Sequence, residues 1–182
     1  MGTYPSTILK VDKNGTAVTP WYLSSPLNHT KSGFAGLAIA GDTLITNDSD
    51  GQLYRFDTKA EKGTPTLIKR TPNTTMSASD AIYLPPMYDG KVLLAAEDAY
   101  GVSVLRSKDG TWETAELLGL VPFNQTLAPG GNVPAVVQVG SDSLFMVIEF
   151  FADAVLPGYT AGNRTQFPLI DITKQVAALR EK

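Results

Sequence analysis

The chain has 182 residues, 43% of them hydrophobic and 18% charged, with a formal net charge of −3. That balance is enough for a buried core and leaves no basic surplus of the kind that tracks nucleic acid. The absence of cysteine excludes disulfides, thiolate metal sites and thiol nucleophiles, so packing alone must carry stability. In chain order, Ile8 to Val11 and Ala17 to Tyr22 read as strands flanking Asp12-Lys13-Asn14-Gly15. The Asn-Gly pair predicts a tight hairpin with positive φ at both central residues. A second unit places strands at Ala35 to Ile39, Thr43 to Thr46, Gln52 to Asp57 and Thr66 to Lys69, turning at Ala40-Gly41-Asp42 and at Asp48 to Gly51. A third repeats the pattern with Ala81 to Leu84, Val92 to Ala96, Val102 to Arg106 and Trp112 to Leu118, turning at Asp89-Gly90, Asp98 to Gly101 and Asp109-Gly110. The fourth runs through Ala135 to Val139 and Leu144 to Ile148 and, after a long loop, resumes at Phe167 to Ile170. Only Ile172 to Arg180 carries a short helical pattern, with basic residues near its end.

Leu37 to Ile82 is a step of 45 residues and Ile82 to Val137 one of 55, the spacing of four-stranded propeller blades with loop insertions. A β-sandwich of similar strand number is the competing architecture, but it does not repeat one turn chemistry at this interval. The chain is therefore expected to be all-β, about three and a half blades of a six-bladed ring, with blade pieces at 4–22, 34–70, 79–120 and 133–176. Closed propellers take four to eight blades, so the expected partner is the N-terminal half of the ring as a second chain. No apolar run reaches the length of a membrane-spanning helix. Met1-Gly2 reads as the start of a segment cut from a longer precursor whose signal peptide lies upstream.

Six of the seven asparagines, Asn14, Asn28, Asn47, Asn73, Asn124 and Asn163, open an Asn-x-Ser/Thr triplet without proline, and only Asn132 does not. Composition alone would give roughly one such triplet, so the excess points to a secreted, N-glycosylated protein whose triplets lie on surface loops. Asn14, Asn28, Asn73, Asn124 and Asn163 fall in turns or inter-blade loops; Asn47 ends a strand facing the expected channel and is the poorest acceptor.

In a propeller the chemistry gathers at the channel, where inner strands converge and the loops to the next inner strand line one mouth. Those loops, Leu23 to Phe34, Arg70 to Asp80 and Val121 to Pro134, bring Phe34, Met76, Ser79, Asp80, Asn132 and Pro134 to the mouth. The turns between second and third strands add Asn47, Asp48, Glu97, Asp98, Tyr100, Glu149, Phe150 and Phe151. The segment Phe150 to Gln166 is long for a blade turn, and with Phe150, Phe151, Leu156, Pro157 and Tyr159 it is apolar enough to cover an organic ligand. Structural readings stand beside these: Asp80 as a turn-capping carboxylate, Glu97 and Asp98 as turn formers, and Phe150 and Phe151 with one ring in the core. His29 is the sole histidine and cannot join a polyhistidine metal site, and no nucleophile elbow, HExxH, P-loop or dinucleotide fingerprint is present.

The segments Phe34-Ala35-Gly36-Leu37-Ala38-Ile39, Gly51 to Asp57 and Ser79-Asp80-Ala81-Ile82-Tyr83-Leu84 resemble blades of the gluconolactonase and regucalcin superfamily of six-bladed propellers. In that superfamily a divalent metal sits on a glutamate, asparagines and an aspartate at the inner blade ends. Asp80 matches the aspartate, but Ala35 stands at the asparagine position and Val133-Pro134-Ala135 offers no ligand beyond Asn132, so no metal and no cofactor are expected. Within the superfamily the chain looks like secreted fungal propellers: the Malassezia allergen type, trichothecene-cluster propellers and hetero-Diels–Alderases of tropolonic sesquiterpene pathways. What this implies is a metal-independent cyclase of fungal secondary metabolism that binds a small apolar substrate and works by positioning, with Asp80, Phe34 and Tyr100 as catalytic residues. Met76, Asn132, Glu149, Phe150, Phe151 and Tyr159 would bind the substrate. A metal-dependent lactonase or esterase, and a non-catalytic small-molecule or lipid-binding propeller, are the alternatives.

Overall fold

Val92–Glu97 (β9) is buried at all six positions, which a strand can be only when both its faces are covered. In the computed structural model, which describes residues 6–27, 29–30, 33–48, 50–77, 79–158 and 162–181, it lies inside a stack of sheets. Its own sheet has the order β7 (Lys69–Thr71), β11 (Thr114–Pro122), β10 (Gly101–Arg106), β9, β8 (Ser79–Tyr83). On one side stands the antiparallel sheet of β3 (Leu37–Ala40), β4 (Thr43–Asn47), β5 (Leu53–Asp57) and β6 (Thr66–Leu67). On the other stand β12 (Asn132–Val139), β13 (Ser143–Glu149) and β14 (Leu169–Asp171). A separate hairpin of β1 (Thr7–Val11) and β2 (Val18–Leu23) precedes them. The protein is an all-β propeller assembly of about three and a half blades, with one helix, α1 (Thr173–Arg180), among the described residues.

The period of two divides β9 between two cores. Leu93 and Ala95 pack with Ile45, Leu53, Ile82, Leu105 and Trp112 between second and third blades. Val92, Leu94 and Ala96 pack with Val104, Val136, Leu144, Met146 and Ile148 between third and fourth, where Ile172 and Val176 close the far end. A third, aromatic cluster of Trp21, Phe34, Leu44 and Phe56 fastens the hairpin to the second blade, and Trp21 Nε1 donates to Ala60 O at 3.1 Å. Each fully buried Leu or Ile in these layers contributes on the order of 2 kcal/mol. The outer faces of the stack remain apolar and open: Leu37 and Ile39, on the same face as buried Leu44, are 56% and 64% exposed, and Val139 and Leu169 are exposed at the opposite end.

Several local expectations are corrected. The segment expected as one strand from Thr66 to Lys69 divides: Thr66–Leu67 pairs with β5, whereas Lys69–Thr71 crosses over and pairs in parallel with β11 of the next blade. Ile68 is the pivot, its N–H bound to Leu53 O and its side chain in the core. Trp112 is not in a strand; it sits at φ 58 with its indole fully buried and Nε1 donating to Gly90 O at 2.8 Å. In the first hairpin only Gly15 has positive φ, because Gly15 N–H closes a turn on Asp12 O and the Asp12 carboxylate holds the N–H groups of Thr16 and Ala17. That longer loop needs one left-handed residue rather than two. Between β8 and β9 the expected turn at Asp89-Gly90 is present, with φ 50 and 70, and a 3-10 turn at Pro86–Tyr88 leads into it.

Candidate functional site

The second strands of the three sheets that follow the hairpin end in equivalent residues, Asn47, Glu97 and Glu149. Glu97 and Glu149 lie across the ladder from the first residues of their inner strands, Ser79 and Asn132. All of these ends lie at one mouth, and the polar side chains form a row across it. Asn47 is wholly buried: its Oδ1 accepts from Gly36 N at 2.8 Å, and its Nδ2 donates to Ser79 O, Ser79 Oγ and Asp80 O at 3.0, 3.0 and 2.8 Å. It therefore couples the second blade to the third. The next link is through backbone, Val133 N–H donating to Asp98 O at 2.9 Å, which couples third to fourth.

Electrostatics along the row follow burial. Glu97, 6% exposed, accepts from Ser77 N at 2.8 Å and from the Ser103 hydroxyl in a short hydrogen bond. Burial raises its pKa, against the lowering effect of those two donors and of Arg70. Asp98 is raised as well, first by burial and then by the charge of Asp80. Arg70 is buried with Nε and Nη1 unpaired, its Nη2 at 3.5 Å from Gln52 Oε1, and burial lowers its pKa while Glu97 and Asp48 oppose that. A carboxyl raised in the fold favours the native state below its ordinary pKa of about 4.3, and that contribution is lost as pH climbs through the raised value. Glu97→Gln is thus expected to shrink the difference in urea midpoint between about pH 4 and pH 7, leaving the slope due to Asp98. An unchanged difference would show that Glu97 does not titrate abnormally.

At the end of this row, β13 runs into a segment that folds back on itself. Arg164 clamps Asp153 through Nε at 2.6 Å and Nη2 at 2.8 Å, and its guanidinium lies 3.5 Å above the Phe150 ring. Phe167 meets Phe150 at a centroid distance of 6.2 Å. The fold-back encloses a cleft of about 300 Å³ lined by Glu149, Phe150, Phe151, Asp153, Val155, Gly162, Arg164 and Phe167. A second hollow of about 580 Å³, with Leu127, Ala128 and Pro129 on its far side, shares Phe150, Arg164 and Phe167. Phe150, Phe151 and Phe167 give the cleft its aromatic surface, the Arg164 charge is largely neutralised by Asp153, and Glu149 is the remaining carboxylate.

Of the residues expected at the mouth, Glu149, Phe150 and Phe151 meet in this cleft, and Asn132 stands across the ladder from Glu149. Asp80 is half-buried near Asp98, and Tyr100 is exposed at the tip of the adjoining turn. Two residues are elsewhere. Phe34 is buried against Tyr22, Tyr54 and Phe56 at centroid distances of 5.7, 5.8 and 5.9 Å, so it is a core ring rather than a channel wall. Met76 is 1% exposed, drawn into the core between second and third blades as its loop closes down on Gly51. Tyr159 and Asn28 lie outside the described residues. Among those described, no three His, Asp or Glu side chains converge as a metal site would require, so the Asp80 and Asp98 pair lacks a third donor of that kind. Asp153, Val155, Arg164 and Phe167 were not anticipated. The Asp153–Arg164 pairing spans a loop with no periodic signal, and Arg164 sits inside a glycosylation triplet.

No family profile matches the chain. Its sequence is 35% identical over 187 positions to Trichothecene biosynthesis protein 14 of Trichoderma arundinaceum, covering 98% of this chain and 50% of that protein. Core trichothecene cluster (CTC) protein 14 of Fusarium sporotrichioides is 32% identical, with 97% and 48% covered. The chain is similar to fungal trichothecene-cluster proteins. It spans about half the length of these curated relatives. In three dimensions it matches the major Malassezia sympodialis allergen Mala s 1 with a TM-score of 0.70 over 91% of this chain and 49% of the allergen. At 23% identity that likeness is one of fold, the β-propeller. The names of the two sequence relatives place them in fungal secondary metabolism and specify no reaction.

Proposed function

We propose that this chain is part of a propeller of fungal secondary metabolism that holds a small apolar substrate in the cleft of Phe150, Phe151 and Phe167 and promotes its cyclisation by positioning. The observation that carries the reading is the convergence of three aromatic side chains, one carboxylate and a charge-compensated guanidinium at the propeller mouth. The relatives named for trichothecene biosynthesis supply the metabolic setting. A hetero-Diels–Alder-type cycloaddition closes a ring between a diene and an alkene with no atom, proton or electron exchanged with the protein. Such a reaction needs its partners held in a near-attack pose, which contributes up to about 7–11 kcal/mol of the barrier. Flat aromatic walls restrict that pose, and Glu149 and Arg164 are placed to orient a polar substituent.

The open apolar faces at Leu37 and Ile39 and at Val139 and Leu169 are read as seats for further blades of a six-bladed ring, on the same chain or a second one.

Phe151 gives the cleanest test, because it lines the cleft yet is 62% exposed. Phe151→Ala should leave stability within about 0.5 kcal/mol while cutting single-turnover cyclisation of a diene–alkene substrate by around 100-fold. Asp80→Ala should cost far less, and a chelator nothing. Turnover unaffected by Phe151→Ala would reject the cleft as the reaction site. Activity lost on chelation and restored by calcium or zinc would assign a metal-dependent lactonase instead. Stoichiometric binding without turnover would make the cleft a recognition surface.

A further inference from the structure

The excess of Asn-x-Ser/Thr triplets is unexplained by the cleft, and the structure sorts them sharply. Asn14, Asn73, Asn124 and Asn163 are exposed, whereas Asn47 is fully buried with both side-chain polar atoms engaged. Three of the four exposed sites lie on a single side of the molecule. Asn73 is on the loop entering β8, whose first residue pairs with Glu97. Asn124 is on the loop from β11, whose end pairs with Gly101, to β12, whose start pairs with Glu149. Asn163 lies between β13 and β14, next to two cleft residues, Gly162 and Arg164. All three loops open at the mouth that carries the cleft. The apolar outer faces at Leu37, Ile39, Val139 and Leu169 carry no triplet.

We propose that Asn73, Asn124 and Asn163 are N-glycosylated and form a sugar crown around the cleft mouth, with a fourth glycan at Asn14 on the hairpin turn and none at Asn47. An Asn-linked glycan is bulky and hydrated and is tolerated only where the amide nitrogen faces water. At Asn47 it would displace three hydrogen bonds of Nδ2 within the blade-to-blade seam, so chains modified there cannot reach this fold. A crown of this kind leaves a small molecule free to enter and keeps protein surfaces away from the mouth.

The test is site mapping on folded protein secreted by a fungal host. The glycans are released with an amidase in heavy-oxygen water, which converts each occupied asparagine to a mass-labelled aspartate. The label is expected on Asn73, Asn124 and Asn163 and on Asn14, and the intact mass should fall by one glycan in each of N73Q, N124Q and N163Q. Asn47 should be unlabelled in the monomeric fraction. Absence of label from Asn73, Asn124 or Asn163, or substantial labelling of Asn47 in folded material, would overturn the proposal. Retained thermal stability of the three glutamine variants separates a lost acceptor from a lost fold.

Discussion

Asn47→Ala should be among the most damaging single substitutions in this chain, lowering stability by about 3–4 kcal/mol and the thermal midpoint by roughly 10 °C. Removing the side chain strands Gly36 N–H and the Ser79 and Asp80 carbonyls in a place where the native structure gives each a partner at 2.8–3.0 Å. Each buried group left unpaired costs on the order of 1–3 kcal/mol, whereas the lost contact itself is worth only about 1. Asn47→Asp restores the acceptor for Gly36 but turns a carboxylate oxygen toward two carbonyl oxygens, so it should not rescue. Thermal and urea unfolding followed by circular dichroism decide the matter, and a midpoint within about 2 °C of wild type would show that the seam tolerates solvent.

A comparable loss, about 4 kcal/mol or failure to fold, is expected for Gly101→Ala. Gly101 opens β10 at φ 133, a region closed to residues with a Cβ, and an added Cβ would overlap Val121 O and lie 2.7 Å from Phe123 N. Both obstacles are backbone, in the adjoining strand and one residue past its end, so no side-chain rotation relieves them. Gly140→Ala is the control: its φ is +66 but nothing lies within 4 Å of the new methyl, so only about 1 kcal/mol should be lost. If the two substitutions cost the same, the strain at position 101 is relieved by strand movement.

What the sequence made legible was whatever depends on local period. The strands from Val92 to Arg106 and from Leu144 to Ile148 are visible because alternate residues enter two different cores, and the helix over Ile172 to Arg180 begins within one residue of its predicted start. Contacts that cross between blades were less visible. Nothing local distinguishes Lys69–Thr71 from the strand before it, and its parallel partner lies more than forty residues away in β11. Phe34 and Met76 were expected at the mouth because their loops end there, but an aromatic ring and a thioether at a loop end gain more from the core beneath than from an open channel. Conversely, the cleft depends on the Asp153–Arg164 clamp, a tertiary pairing that neither charge count nor spacing reveals.

The crossing at Ile68 bears on how such a chain can evolve. Propellers are commonly pictured as tandem modules, lengthened or shortened by copying one blade. Here the segment Thr66–Thr71 is hydrogen-bonded to two successive sheets, with Leu67 paired to Tyr54 and Arg70 to Ala115. A recombination breakpoint between these blades would therefore strip an edge strand from one module or graft a foreign one onto the other. At this junction the unit that can be exchanged intact is the pair of blades with its shared stitch, so divergence within this stretch is easier by substitution than by shuffling.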